Sequence, residues 1–249
     1  MVGTALESES ITDEPPLDVI AVGAHPDDIE IACGGTLAKL VEQGHRVGIV
    51  DLTDGEPTPG SSSPEMRLAE ARRAAEVLGV ARRVTLDLPN RRLFDSFEAR
   101  VALAKEFRRG RPRLVIGLSG ATPMASPDHY QAGLIIEAAV FYSKLAKWDE
   151  HFAGLPPYTI PRLLWCSLAF RTISSFDRGA LVVDIGGTLE KKLAAIACYA
   201  SQFPPPKLHH VDRIQVFAME QGMAAGFAAG EVLTSATPWG THDLMGLLF

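Results

Sequence analysis

Three cysteines are all that 249 residues contain, and Cys33, Cys166 and Cys198 stand far apart with no CxxC pair. Neither a disulfide framework nor a cysteine-rich zinc site is indicated, and a reducing, cytoplasmic setting is the simplest expectation. A basic excess is also missing. The formal net charge is −6, whereas a nucleic-acid binder carries a basic face or stripe. The basic cluster Arg108-Arg109-Gly110-Arg111-Pro112-Arg113 falls where a helix should end, and cations there complement the helix dipole. No apolar run reaches membrane-spanning length. Residues 1–16 carry Glu7, Glu9, Asp13 and Glu14 without a basic start or an apolar core; they are expected to form a flexible acidic tail rather than a signal peptide. Without internal repeats or a composition break, residues 17–249 are expected to form a single α/β domain.

The chain is organised around Val19-Ile20-Ala21-Val22-Gly23-Ala24-His25-Pro26-Asp27-Asp28. It reads as a strand apolar on both faces, as in a parallel sheet covered by helices. Pro26 cannot donate to a ladder, so pairing should stop there. That leaves one imidazole and two carboxylates at the carboxyl end of a central strand, where open α/β sheets place their ligands. Pro and Asp are also common in plain turns. Imidazole and carboxylate together suit zinc or a similar divalent ion.

Further elements follow in order. The spacing of Thr36 to Val41 predicts a helix after Gly34 and Gly35, capped at Gly44, with the glycines allowing close packing. Val47 to Leu52 predicts a second strand ending in Thr53-Asp54-Gly55-Glu56. Ser63-Pro64 reads as an N-cap with proline at the first helical position, and Gly79 as the stop. Val84 to Leu88 predicts the third strand, Asp95 and Glu98 a capping box, and Leu114 to Leu118 the fourth strand. Later come a helix over 131–147, strands over 163–170 and 181–185, and helices over 189–200 and 211–229. Gly222, Gly226 and Gly230 would line one face of the last helix. Alternation of strand and helix argues for a mostly parallel sheet with right-handed crossovers, so that successive strand ends share one edge.

Ser126-Pro127-Asp128-His129 lies beyond the fourth strand. His129 is therefore the natural third metal ligand, since two His and one carboxylate leave a position open for water in a catalytic zinc site. Of the adjacent acids, one can bind metal while its neighbour accepts a proton from the attacking water. A nucleotide-binding reading is weakened because GxGxxG is missing and two carboxylates sit where a pyrophosphate would.

Gly23-Ala24-His25-Pro26-Asp27-Asp28-Ile29-Glu30 with Gly34-Gly35-Thr36 resembles the signature of the LmbE-like (PIG-L) zinc N-deacetylases. Thr53-Asp54-Gly55-Glu56, Arg67-x-x-Glu70, Pro127-Asp128-His129, and Lys192 through Tyr199-x-Ser201-Gln202-Phe203 match in order. The ending and Lys144 to Trp148 are most similar to the bacillithiol-pathway branch, which deacetylates N-acetylglucosaminyl malate. The resemblance implies a Rossmann-like three-layer sandwich and a hydrolase removing acetate from an N-acetylglucosamine conjugate. Zinc, or another divalent transition metal, would be held by His25, Asp28 and His129, with Asp27 as general base. Arg67, Asn90, Ser126 and Asp128 are the candidate substrate contacts. The partner implied is a small amino-sugar substrate, and relatives are often homo-oligomers.

One position departs from the pattern. Relatives usually read His-Pro-Asp-His where this chain has Ser126-Pro127-Asp128-His129; the missing His stabilises the oxyanion and the Asp orients it. Ser126 is shorter and cannot be a cation, and Asp128 is left without an evident partner. Either another donor replaces the His, with His209-His210 the candidate pair, or turnover is slower on a different substrate, or the chain is a metal- and sugar-binding relative without turnover. An amidase on thiol-sugar conjugates is a further alternative. The plainer reading of His209-His210 is a solvated pair at a helix start. Glu30 and Lys192 are candidates for a supporting layer around the metal, against ordinary helix-face charges. Trp148, Trp165 and Trp239 could line a sugar site, though packing roles are commoner.

Overall fold

The structure, a computed structural model of the chain, describes residues 15–118, 120–168, 180–235, 237, 238, 240, 242, 243 and 245. The expected acidic tail through residue 14, Trp239 and the end of the strand expected to reach residue 170 lie outside the described residues. Five parallel strands form the sheet: β1 (Val19–Gly23), β2 (Val47–Asp51), β3 (Arg82–Thr85), β4 (Leu114–Leu118) and β5 (Arg162–Cys166), in spatial order β3-β2-β1-β4-β5. Alternate residues feed opposite faces, as the pleat requires. Val19, Ala21, Ile49 and Ile116 join one apolar cluster, and Ile20, Val22, Val50 and Val115 the other. Burying such a side chain contributes about 1.5–3 kcal/mol, which is why this continuous apolar run forms the centre of the sheet.

Helices cover both faces. α1 (Asp28–Glu42) and α2 (Pro64–Leu78) pack on one side with α6 (Leu189–Ala197). α3 (Phe97–Gly110), α4 (Asp128–Tyr142) and the short α5 (Asp149–Phe152) pack on the other. The result is the Rossmann-like three-layer arrangement. Arg108, buried on the second side, donates to the carbonyls of Ser143, Leu145 and Leu155. Its place is structural, though as a hydrogen-bond hub rather than a simple dipole partner.

Beyond the sheet, β6 (Leu181–Asp184) pairs antiparallel with β7 (Gly230–Leu233), and α7 (His209–Met223) packs on them. Here the structure corrects several expectations. The last helix ends at Met223, and Gly226 turns with φ +81. Gly222 and Gly230 do meet closely, but as helix against strand: a Cβ on Gly222 would collide with the backbone of Ala229 and Gly230. The third strand starts two residues earlier than the apolar run suggests, because Arg83 is drawn inward by Asp51 and Glu30. Ser96, not Asp95, caps α3 by accepting from the Ala99 amide, while Asp95 pairs with Arg100. α1 starts at Asp28, before the glycines, and breaks at Cys33 (φ −148, ψ 20). Among the described residues no helix is long and apolar enough to cross a membrane.

Candidate metal centre and active site

The strand order explains why distant residues meet. From β1 the chain steps to β2 and β3 on one side, then returns to β4 and β5 on the other. The crevice between β1 and β4 is the topological switch point, where such sheets bind ligands. His25, Asp27 and Asp28 follow β1, and His129 lies in the first turn of the helix after β4. One ligand atom each from His25, Asp28 and His129 falls within 4.8 Å of the other two. His129 Nε2 is 3.4 Å from Asp28 Oδ1, and His25 Nδ1 is 3.4 Å from Asp28 Oδ2.

Each donor is held from behind. Asp28 Oδ2 accepts from the amides of Ala24 (3.0 Å) and His25 (2.9 Å). His129 Nδ1 lies 3.1 Å from Thr122 Oγ1, which fixes the ring with Nε2 toward Asp28. His25 Nε2 lies 3.3 Å from Asp128 Oδ2, which also accepts from the Arg91 amide at 2.6 Å. Asp128 therefore has two partners where the sequence shows none, and it is buried beside His25. Ser126 Oγ accepts from the Asp128 amide at 3.3 Å and so helps open α4.

Asp27 adopts a left-handed backbone conformation, with φ +113. A non-glycine residue there is strained by about 1–3 kcal/mol, and such residues cluster at functional sites. Its carboxylate is 3.1 Å from Arg67 Nη2, which also donates to the Pro26 carbonyl. Arg67 is buried, and its Nε and Nη1 make no hydrogen bond among the described residues. Asn90 donates to the Glu56 carbonyl at 2.8 Å and leaves its buried Oδ1 without a hydrogen bond among the described residues.

Charge is strongly redistributed here. Burial alone would lower the His25 pKa, but the carboxylates of Asp28, Asp128 and Asp27 outweigh it and push it up to about 10. Burial raises Asp27 to about 6, against the pull of the Arg67 cation. Asp28 goes the other way: burial opposes its charge, yet His25 and His129 hold it far below the ordinary carboxylate range. At Asp128 burial also opposes the charge, but hydrogen bonds from His25 and the Arg91 amide overcome it and the pKa is lowered. Two imidazoles and one carboxylate are a donor set that zinc accepts. Three such atoms within 4.8 Å of one another, one of them an ionised carboxylate, fit a bound cation.

A cavity of about 560 Å³ opens over the cluster, within the range of small-molecule sites. His25, Asp27, Asp28, Arg67, Asn90, Ser126 and His129 all line it. So do residues that sequence reasoning misses or leaves open: Thr122 and Arg91 from the sheet side, Gln202 and Phe203 after α6, and His210 and Arg213 on α7. Thr122 and Arg91 lie in loops without any periodic or motif signal. His210, which the sequence marks only as half of a histidine pair, stacks on His209 at 4.1 Å between ring centroids and reaches the cavity wall.

A doubly wound α/β fold with a His-Asp-His cluster at its switch point, under a small-molecule-sized cavity, defines the class: an α/β protein whose residues could hold a metal ion there. The family follows from comparison with known proteins. Residues 20–140 match the model of the PIG-L family, described as GlcNAc-PI de-N-acetylase. The chain is 33% identical over 195 residues to a diacetylchitobiose deacetylase of Thermococcus kodakarensis, covering 75% of this chain and 70% of that one. Its fold superposes on the conserved protein TT1542 from Thermus thermophilus with a TM-score of 0.78 at 33% identity, covering 90% and 97% of the two chains. An N,N'-diacetylchitobiose deacetylase from Pyrococcus horikoshii, solved with an inhibitor, gives a TM-score of 0.75 at 28% identity over 87% and 82%. The chain belongs to the PIG-L family.

Proposed function

We propose that this protein is a metal-dependent hydrolase that removes the acetyl group from an N-acetylglucosamine conjugate. The observation that carries the reading is the convergence of His25, Asp28 and His129 within 4.8 Å of one another, with Asp27 beside them on the wall of one cavity. The deacetylase names of relatives at 28–33% identity support the bond and the sugar. Zinc or another divalent transition ion would be held by those three residues; when bound, it supplies Lewis acidity and makes water nucleophilic near neutral pH.

The chain's own residues do the rest. Asp27, with its pKa near 6, is ionised at neutral pH and takes a proton from the water that attacks the acetamide carbonyl. It returns that proton to the nitrogen as the C–N bond breaks, so acetate and a free amine leave. Arg67, on the wall of the same cavity, holds the Asp27 carboxylate in place through Nη2. Asn90 lines the same cavity and is the candidate sugar contact. Ser126 is too short to replace an imidazolium at the developing oxyanion; His210, on the wall of the same cavity, is the donor we assign there.

The test is acetate release from a panel of GlcNAc-malate, GlcNAc-inositol and diacetylchitobiose, with and without a chelator. Turnover of at least one conjugate, lost on chelation and restored by zinc, is expected. The Ser126 substitution favours one second reading, a sugar-binding relative without turnover. Silence on every substrate, with measurable sugar binding, would select that reading.

A further inference from the structure

The helix that carries Asp28 is broken, and the break is held from outside. Cys33 leaves helical geometry, so α1 consists of a short first segment, Asp28 to Ala32, and a longer second one. The first segment also carries Glu30, whose carboxylate accepts from Arg83 and, at 2.8 Å, from the Tyr199 hydroxyl. Five residues are far below the length at which a helix persists alone. A break inside a helix also strands backbone groups, as a helix end does.

Two buried side chains from the last part of the chain satisfy them. Lys192 Nζ donates to the Ile31 carbonyl at 2.8 Å, closing the first segment. Glu231 accepts from the amides of Gly35 (3.0 Å) and Thr36 (2.6 Å), one on each carboxylate oxygen, opening the second segment as an N-cap would. Lys192 and Glu231 pair with each other at 2.5 Å, at 2% and 1% exposure. Gly35 permits the approach: a Cβ there would lie 2.7 Å from Ile185 Cδ1, just past β6. With the break fixed, the first segment is aimed so that Asp28 Oδ2 reaches the Ala24 and His25 amides and Oδ1 is left toward His129.

We infer that Lys192 and Glu231 are positioning residues for the metal centre, setting the retention of a divalent ion by fixing the segment that bears Asp28. They touch neither the donor cluster nor the cavity over it. The inference rests on the proposed metal site, and its test reads metal affinity rather than turnover. Zinc affinity is measured by competition with a chromogenic chelator on folded protein. Glu231→Gln and Lys192→Gln are each expected to weaken zinc at least tenfold. Lys191→Met, which removes the exposed pair with Glu42 one position away, should bind as the parent does. Arg108→Met supplies a control destabilised on the opposite face; it should melt lower with zinc affinity unchanged.

Should the Gln variants fail to fold, hydrogen exchange on the parent protein decides. Zinc is expected to slow the amides of Gly35 and Thr36 together with those of residues 29–32. Gln variants that bind zinc within twofold of the parent, or zinc that protects residues 29–32 and leaves Gly35 and Thr36 unchanged, would overturn the inference. A parent protein that binds no zinc would instead overturn the proposed function.

Discussion

The two parts of the molecule contribute to the site in different ways. Residues 19–166 form the parallel sheet and supply all three donors of the cluster, together with Asp27 and Arg67. Residues 181–233 supply none of those donors, yet they furnish the wall of the cavity opposite the sheet, through Gln202, Phe203, His210 and Arg213, and the buried pair at the break in α1. The first part places chemistry by topology: strand ends of a parallel sheet share an edge whatever the side chains do. The second acts through specific long-range contacts, Lys192 to Ile31 and Glu231 to Gly35 and Thr36, separated by about 160 and 195 residues.

That division of labour can be broken at either side. The largest effect is expected on the sheet side. Asp27→Asn should lower kcat by about 10²–10⁴ while leaving zinc content unchanged, as read by acetate release and metal analysis. On the opposite wall, His210→Ala should cost about 10²–10³ in kcat if its ring stabilises the oxyanion, with little change in KM. A loss as large as that of Asp27→Asn would mean that the wall is catalytic in the same degree as the sheet edge.

A pH profile sharpens the comparison further. Asp27 must be ionised to accept a proton, and burial has raised it to about 6. Activity should therefore fall as pH drops below about 6. Because the Arg67 cation lowers the Asp27 pKa, Arg67→Met should move this limb to higher pH. The smallest catalytic effect is expected at Arg108, which serves carbonyls of the α4–α5 region and lies over the Phe152 ring, away from the cavity. Arg108→Met should cost roughly 3 kcal/mol, since a stranded buried carbonyl costs about 1–3 kcal/mol. Melting should fall by about 10 °C, with kcat/KM within twofold of the parent.

How much of this can be read from residues follows the same divide. β1, β2 and β4 are readable because both faces of each strand are buried, and α2 because Ser63, Pro64 and Gly79 state its ends chemically. His25, Asp28 and His129 can be grouped because a parallel sheet brings its strand ends together. β3 is shifted from its apolar run, since Arg82 and Arg83 look like loop residues until Asp51 and Glu30 are known to receive Arg83. β7 escapes sequence reasoning, and Gly230 is drawn onto the preceding helix, because Gly230, Glu231, Val232 and Leu233 carry no period of their own; pairing with β6 decides their conformation. The break at Cys33 is invisible for a related reason: the groups that tolerate it come from residues 192 and 231. Asp128 looks unpartnered in sequence because the Arg91 amide and His25 are tertiary neighbours, 37 and 103 residues away.

The central claim is that His25, Asp28 and His129 together grip one divalent ion. Zinc counted per chain, on purified parent protein beside His129→Ala, tests it most directly. About one equivalent in the parent and essentially none in the variant is the expected result. Equal zinc in both, or none in a parent that still releases acetate in the presence of a chelator, would contradict the account.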